Sequence, residues 1–243
     1  MRERRMARVR TFTMRGRLSE TNAAAVADHW PAYGVDVAEA PAPPLDPAAL
    51  FGRTAPLVLE IGFGMGTATA AMASADRDRD YLATDVHVPG IGNLLRLVVD
   101  VGLTNVRVAR GDALDLLRHQ LPPDSLDAIH LYFPDPWPKS RHHRRRLVQP
   151  AHVPLLRSRL RPGGTLHMAT DWADYADAAL AALTADPELV NPYGGWAPRP
   201  EHRPVTKFER RGLHAGRTVR DLILRRRGAG QHGEPAADRA GAA

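Results

Sequence analysis

The chain has no cysteine. That excludes disulfides and thiolate zinc sites, and it fits a cytoplasmic protein. It also has no apolar run long enough to span a membrane, and no signal-peptide core follows Met1, so no membrane partner is expected. No internal repeat is present. Acidic residues are in the minority: 27 Asp and Glu against 33 Lys and Arg, a formal charge of +6. The surplus favours a polyanionic partner, although where the charge sits matters more than its total. A length of 243 residues suits one larger α/β domain with extra segments at its ends.

The most informative stretch is Leu57–Gly66, L-V-L-E-I-G-F-G-M-G. Leu57, Val58, Leu59 and Ile61 suit a buried strand, and Gly62, Gly64 and Gly66 strip side chains from the turn that follows. A dinucleotide fingerprint G-x-G-x-x-G needs its last glycine at 67, where the chain has Thr67. Glu60 lies at the strand end, where it repels a pyrophosphate and attracts a cation that carries an amino group and a sulfonium. The pattern E-x-G-x-G-x-G resembles motif I of the S-adenosylmethionine-dependent methyltransferases, ahead of a dehydrogenase or a small-molecule enzyme.

Residues 1–47 read as a basic amino-terminal arm and linker, with Arg2, Arg4, Arg5, Arg8 and Arg10 near the start and a Pro/Ala-rich stretch at Ala40–Pro47. Residues 48–227 read as the folded domain, and 228–243 as a disordered tail. Within the domain, strands are expected at Leu57–Gly62, Tyr81–Val86, Val106–Ala109, Leu126–Phe133 and Thr165–Ala169, with a late strand at Thr218–Arg227. Helices are expected from Thr67, over Pro89–Val101, broadly over Leu147–Leu160, and over Asp171–Leu183. Arg161-Pro162-Gly163-Gly164 reads as a turn, and Asp186 to Val205 as an ordered loop or short edge structure. The alternation predicts a doubly wound α/β domain with a mainly parallel sheet and an antiparallel late strand. Ligands are then expected at the carboxyl ends of the strands.

Each of those ends carries an acid: Glu60, Asp85, Asp112, Asp135 and Asp171. Asp85 is spaced from Gly62 so that it can accept from ribose hydroxyls, and Asp112 can accept from an adenine amino group. Asp135 lies in Phe133–Lys139, F-P-D-P-W-P-K, where three prolines in five residues fix φ and stiffen the loop around Asp135 and Trp137. The basic run Arg141, His142, His143, Arg144, Arg145, Arg146 comes next and suits phosphate contacts. With no cysteine and no spaced third ligand, His142 and His143 do not read as a metal site, and no metal is expected.

Leu59–Gly66, His87-Val88-Pro89-Gly90, Phe133–Lys139, Arg141–Gln149, His167–Trp172 (H-M-A-T-D-W) and Arg203–Gly212 (R-P-V-T-K-F-E-R-R-G) together resemble the bacterial tRNA (guanine-N7-)-methyltransferases. The resemblance runs from about Arg15 to Arg227. It implies a Rossmann-like class I methyltransferase fold, S-adenosyl-L-methionine as cofactor and a guanine in the variable loop of tRNA as target. It carries Glu60, Asp85, Asp112 and Asp135 onto cofactor contacts alongside the three glycines, and Asp135 onto the catalytic position. It carries Lys139, Asp171, Thr206, Lys207, Phe208 and Glu209 onto substrate contacts, and Arg141–Arg146 onto the RNA-binding segment. Asp85 stands where the family commonly has Glu. The other readings are an enzyme of the same chemistry acting on another RNA or nucleobase, and a non-catalytic RNA-binding module. The expected partner is tRNA, with the protein working as a monomer or homodimer.

Overall fold

A computed structural model describes residues 18–228. The arginines of the amino-terminal arm and all of the carboxyl-terminal tail after Gly228 lie outside the described residues. Strands β1 (Gly34–Asp36), β2 (Leu57–Ile61), β3 (Asp80–Asp85), β4 (Val106–Arg110), β5 (Leu126–Tyr132), β6 (Leu160–Thr170), β7 (Leu189–Val190) and β8 (Arg220–Arg226) form one sheet. Its order is β1-β4-β3-β2-β5-β6-β8-β7. The strands from β1 through β6 pair in parallel, and β8 runs antiparallel between β6 and β7. The order reverses at β2, which pairs β3 on one side and β5 on the other. That reversal opens a crevice at the carboxyl ends, directly above Glu60 and the glycine turn.

Every residue of β2 is buried, because helices cover both sheet faces. Leu57, Leu59, Leu82 and Leu166 pack with α5 (Ala113–His119), α6 (Val153–Arg159) and α7 (Ala173–Thr184). Val58, Tyr81, Ala83 and Val108 pack with α3 (Thr67–Ala75) and α4 (Val88–Val101) on the other side. The expected stripe on α4 is seen at Ile91, Leu94, Leu95 and Val98, all fully buried, whereas Val99 faces outward.

The expected strands match the sheet to within two residues at each end, except at the start of β6. Arg161–Gly164, read as a turn, lies inside that strand as a bulge. Between Leu126↔Leu160 and Ala128↔Thr165, five residues of advance on β6 face two on β5. The helix expected over Leu147–Leu160 shrinks to Val153–Arg159, since Pro150 falls in a turn, Pro154 suits only the first helical turn, and Leu160 enters β6. Residues 20–36, read as part of an arm and linker, form helix α1 (Glu20–Tyr33) and strand β1. Ser19 caps α1 by accepting from the Asn22 N–H, Asn22 donates to the Pro89 carbonyl, and Gly92 leaves no room for a Cβ against the Asn22 backbone. Helices α2 (Pro47–Phe51), α5 and α8 (Lys207–His214) were not foreseen.

Candidate active site

The three glycines of the turn do two different jobs. Gly62 and Gly64 sit at φ +78° and +60°, and a Cβ on Gly62 meets nothing within 4 Å. A Cβ on Gly64 reaches only the Phe208 ring, at 4.0 Å. These two leave open space above the turn, as a ligand cradle requires. Gly66 is buried, and a Cβ there comes within 2.6 Å of Leu94, so it serves helix packing. Gly90 of H-V-P-G lets α4 pass against the Gly64 carbonyl, where a Cβ would stand at 1.8 Å.

Topology sets the acids along the carboxyl edge of the sheet in the order Asp112, Asp85, Glu60, Asp135, Asp171. Glu60 is buried and its Oε2 has no hydrogen-bond partner. Burial pushes its carboxyl up to about 7, and the Asp85 carboxylate adds in the same direction. A hydrogen bond with the Thr69 side chain offsets this only in part, and a carboxyl with one oxygen unpartnered beside an open cradle fits a cationic ligand, which would restore its charge. Asp85 accepts at Oδ2 from the Gly64 N–H at 2.9 Å, and at Oδ1 from the Val86 and His87 N–H groups at 2.7 and 2.9 Å. It therefore ties β3 to the glycine turn. Asp112 caps α5 by accepting from the Leu114 N–H at 2.8 Å, and burial raises its pKa. Asp171 accepts from Arg217 Nε at 2.7 Å. It borders an open cleft of about 510 Å³ whose walls include Trp172, Asp174 and Arg220.

The proline loop after β5 is conformationally strained. Phe133 and Trp137, each followed by proline, sit at φ +53° and +45°. Such conformations cost about 1–3 kcal/mol each and persist only where the surroundings enforce them. Asp135, half-buried, lies between these two residues. The loop is braced from the basic segment, which forms a 3-10 turn at Ser140–Arg145. Arg145 lies over the Trp137 ring at 4.8 Å, and His142 meets that ring edge-on at 5.8 Å. Arg146 departs from the expected RNA-facing row. It is 4% exposed, with Nε donating to the Pro136 carbonyl at 2.8 Å and Nη2 to Asp174 at 2.5 Å. Lys139, Arg141 and Arg144 are exposed, and His143 comes within 3.7 Å of Asp174.

The T-K-F-E segment builds the start of α8. Thr206 caps it by accepting from the Glu209 N–H at 3.0 Å, while Lys207 and Phe208 face outward. Phe208 is 54% exposed and overhangs Gly64, which brings α8 to the cradle. Glu209 turns the opposite way. It is buried and accepts from both Arg203 Nη groups, at 2.6 and 3.1 Å. Arg203 is fully buried and also donates to both oxygens of Asp221 on β8, at 2.8 and 2.9 Å. Burial opposes ionisation of Asp221, yet hydrogen bonds from His167 and Arg203 hold its carboxyl below the ordinary range. Sequence reasoning did not single out Arg203, Arg217 or Asp221. Arg203 and Glu209 are the two ends of the quoted R-P-V-T-K-F-E, but no spacing rule marks them as partners or brings Asp221 of β8 to the same guanidinium.

Fold and site together define a Rossmann-like class I methyltransferase. Residues 54–222 match a family described as "Putative methyltransferase". The 16S rRNA methyltransferase KamB has the same fold, with a TM-score of 0.52 at 20% identity over 74% of this chain and 91% of that one. The tRNA (guanine-N(7)-)-methyltransferase of Nitrosospira multiformis is 52% identical over 220 residues, 90% of this chain and 95% of that protein. The enzyme of that name from Halorhodospira halophila is also 52% identical, at the same coverages, and that from Streptomyces avermitilis is 54% identical over 90% of this chain and 76% of that protein. The chain belongs to the tRNA (guanine-N(7)-)-methyltransferase family.

Proposed function

We propose that the protein transfers a methyl group from S-adenosylmethionine to N7 of a guanine in the variable loop of tRNA, in the cytoplasm. The observation that carries this reading is the overhang of Phe208 above Gly64, which joins the family's substrate segment to an acid-rimmed cradle. The cofactor supplies a methyl group activated by a sulfonium. Glu60, Gly62, Gly64, Asp85 and Asp112 are its proposed contacts. Gly66 supports them by packing α3 against α4. Asp85 shapes the turn through backbone N–H groups and keeps lone pairs for ribose.

Guanine N7 has a free lone pair at neutral pH, so no general base is required. The task of the site is alignment and electrostatics. Positive charge develops on the guanine ring during transfer, and Asp135, held by the stiff proline loop, stabilises it. Asp171 grips the N1–H and amino edge with the lone pairs that its single bond from Arg217 leaves open. Phe208 or Trp137 stacks on the base. Thr206 and Lys207 contact substrate at the start of α8, Glu209 fixes that helix from behind, and Lys139, Arg141 and Arg144 hold phosphates.

Nucleoside mass spectrometry tests the reading. Unmodified tRNA incubated with the protein and S-adenosylmethionine should gain 7-methylguanosine in the variable loop. Asp135→Ala should lose turnover far more than tRNA affinity. Methylation of another base or position would overturn the assigned target, and survival of turnover within about tenfold would remove Asp135 from the chemistry.

A further inference from the structure

Three histidines meet on the sheet face beside β5 and β6, outside the acid row and the basic segment. His130 and His167 pair across adjacent parallel strands, and His202 arrives from the loop that leads into α8. Their ring centroids form an equilateral triangle 6.0 Å on each side. One nitrogen from each ring lies within 4.8 Å of the others.

The chemistry of each ring suits ligation. His167 Nε2 lies 2.7 Å from Asp221 Oδ1, and an ionised carboxylate only accepts, so this nitrogen carries the proton. Nδ1 then carries the lone pair, which accepts from the Tyr132 hydroxyl at 3.1 Å and exchanges that hydrogen bond for a metal when one binds. A carboxylate fixing the tautomer of an imidazole is the outer-shell arrangement seen around histidine metal ligands. His130 is 5% exposed, and its Nδ1 is buried with no hydrogen-bond partner. An orphaned buried nitrogen is unfavourable unless something occupies its lone pair. His202 is exposed, so the cluster has a mouth and one ligand able to move.

We propose that His130, His167 and His202 form a binding site for a borderline divalent transition-metal ion of the zinc type. Three imidazoles with a tyrosine hydroxyl beside them suit such ions and leave a fourth position for water. Metal–nitrogen bonds of about 2.0–2.1 Å require the three nitrogens to draw closer, and movement of His202 supplies this. The bound ion fastens the residue next to Arg203 onto the sheet. Because Arg203 holds Glu209, the ion braces the start of α8. The positive charge of Arg203 does not forbid this, since Asp221 and Glu209 already neutralise it.

The test uses the full chain, freed of metal by chelator dialysis and titrated with zinc chloride by calorimetry and by thermal unfolding. The wild type should bind one equivalent and melt at a higher temperature with zinc. His202→Ala, a change at an exposed position, should weaken binding tenfold or more and abolish the melting shift. A variant with His142→Ala and His143→Ala should keep both. Cobalt(II) should give an absorption band in the wild type that His202→Ala loses. Failure of the wild type to bind zinc at 100-fold excess would overturn the proposal. So would binding that survives His202→Ala but disappears in the His142/His143 variant. None of these three readouts depends on methyl transfer.

Discussion

The Arg146 guanidinium donates to the Pro136 carbonyl across 2.8 Å, from a position that is 4% exposed. A residue inside a run of surface arginines thus holds the middle of the strained loop that carries Asp135. Its other end is anchored by Asp174, whose pKa the contact lowers, and its face lies over Tyr175 at 4.8 Å. Arg146→Ala should therefore lower turnover at least tenfold and cost about 1–3 kcal/mol of stability, leaving the salt dependence of tRNA binding little changed. Arg141→Ala with Arg144→Ala should do the reverse. The slope of log affinity against log salt should fall by about two, with turnover at saturating tRNA kept. Equal slope losses from Arg146→Ala would return that residue to the RNA-facing row.

Glu60 makes stability depend on pH. Its carboxyl sits at about 7 in the fold against 4.5 ordinarily, mainly through burial. Between those values the unfolded chain has lost a proton that the native state keeps, so stability falls as pH rises from about 4.5 to about 7 and stays low above it. The gap corresponds to about 3 kcal/mol. Glu60→Gln should stabilise the cofactor-free protein at pH 8 by up to that amount, with little effect at pH 4.5, while S-adenosylmethionine binding is lost. Chemical denaturation at the two pH values checks it, and an equal effect at both would show that the fold does not raise the Glu60 carboxyl.

The family resemblance implies a substrate contact for Glu209 as for Lys207 and Phe208, but its carboxylate is spent on Arg203. Asp221 still pairs with Arg203 after this change, so what is lost is charge-assisted hydrogen bonding worth about 1–3 kcal/mol. Glu209→Gln should lower the unfolding free energy by a figure in that range, with the loss of activity following from misplacement of α8. An unchanged denaturation midpoint together with a raised KM for tRNA would restore the direct contact.

The strands were legible because β2, β3 and β5 are short apolar runs ended by glycine or acid, and burial on both faces demands that composition. The cradle was legible for the same reason, since Gly62, Gly64 and Glu60 are consecutive local features. What escaped depends on distance. Helix α1 has a weak apolar stripe, and only its docking through Asn22 on Pro89 and Gly92 makes it part of the domain. The bulge at Arg161–Gly164 looks like a turn locally and is a strand only because β5 pairs with both its flanks. Arg144 and Arg146 are identical letters two residues apart. Their opposite fates are set by Pro136 and Asp174, which no spacing rule reveals.

Phe208 separates a binding role from a structural one. It is 54% exposed although it overhangs Gly64, so it gives little to the core, and a large exposed aromatic at the mouth of a cradle is placed to stack on a flat base. Stacking of a base on an aromatic ring is worth about 1–3 kcal/mol. Phe208→Ala should therefore lower kcat/KM by about 10- to 100-fold with the denaturation midpoint unchanged, and Phe208→Tyr should recover most of the loss. Because the ring also shields the glycine turn, S-adenosylmethionine affinity should fall less than kcat/KM for tRNA does. If the two fall together, Phe208 acts as a lid over the cofactor. If kcat/KM stays within twofold, the guanine stacks elsewhere, and Trp137, held between Arg145 and His142, becomes the ring to change next.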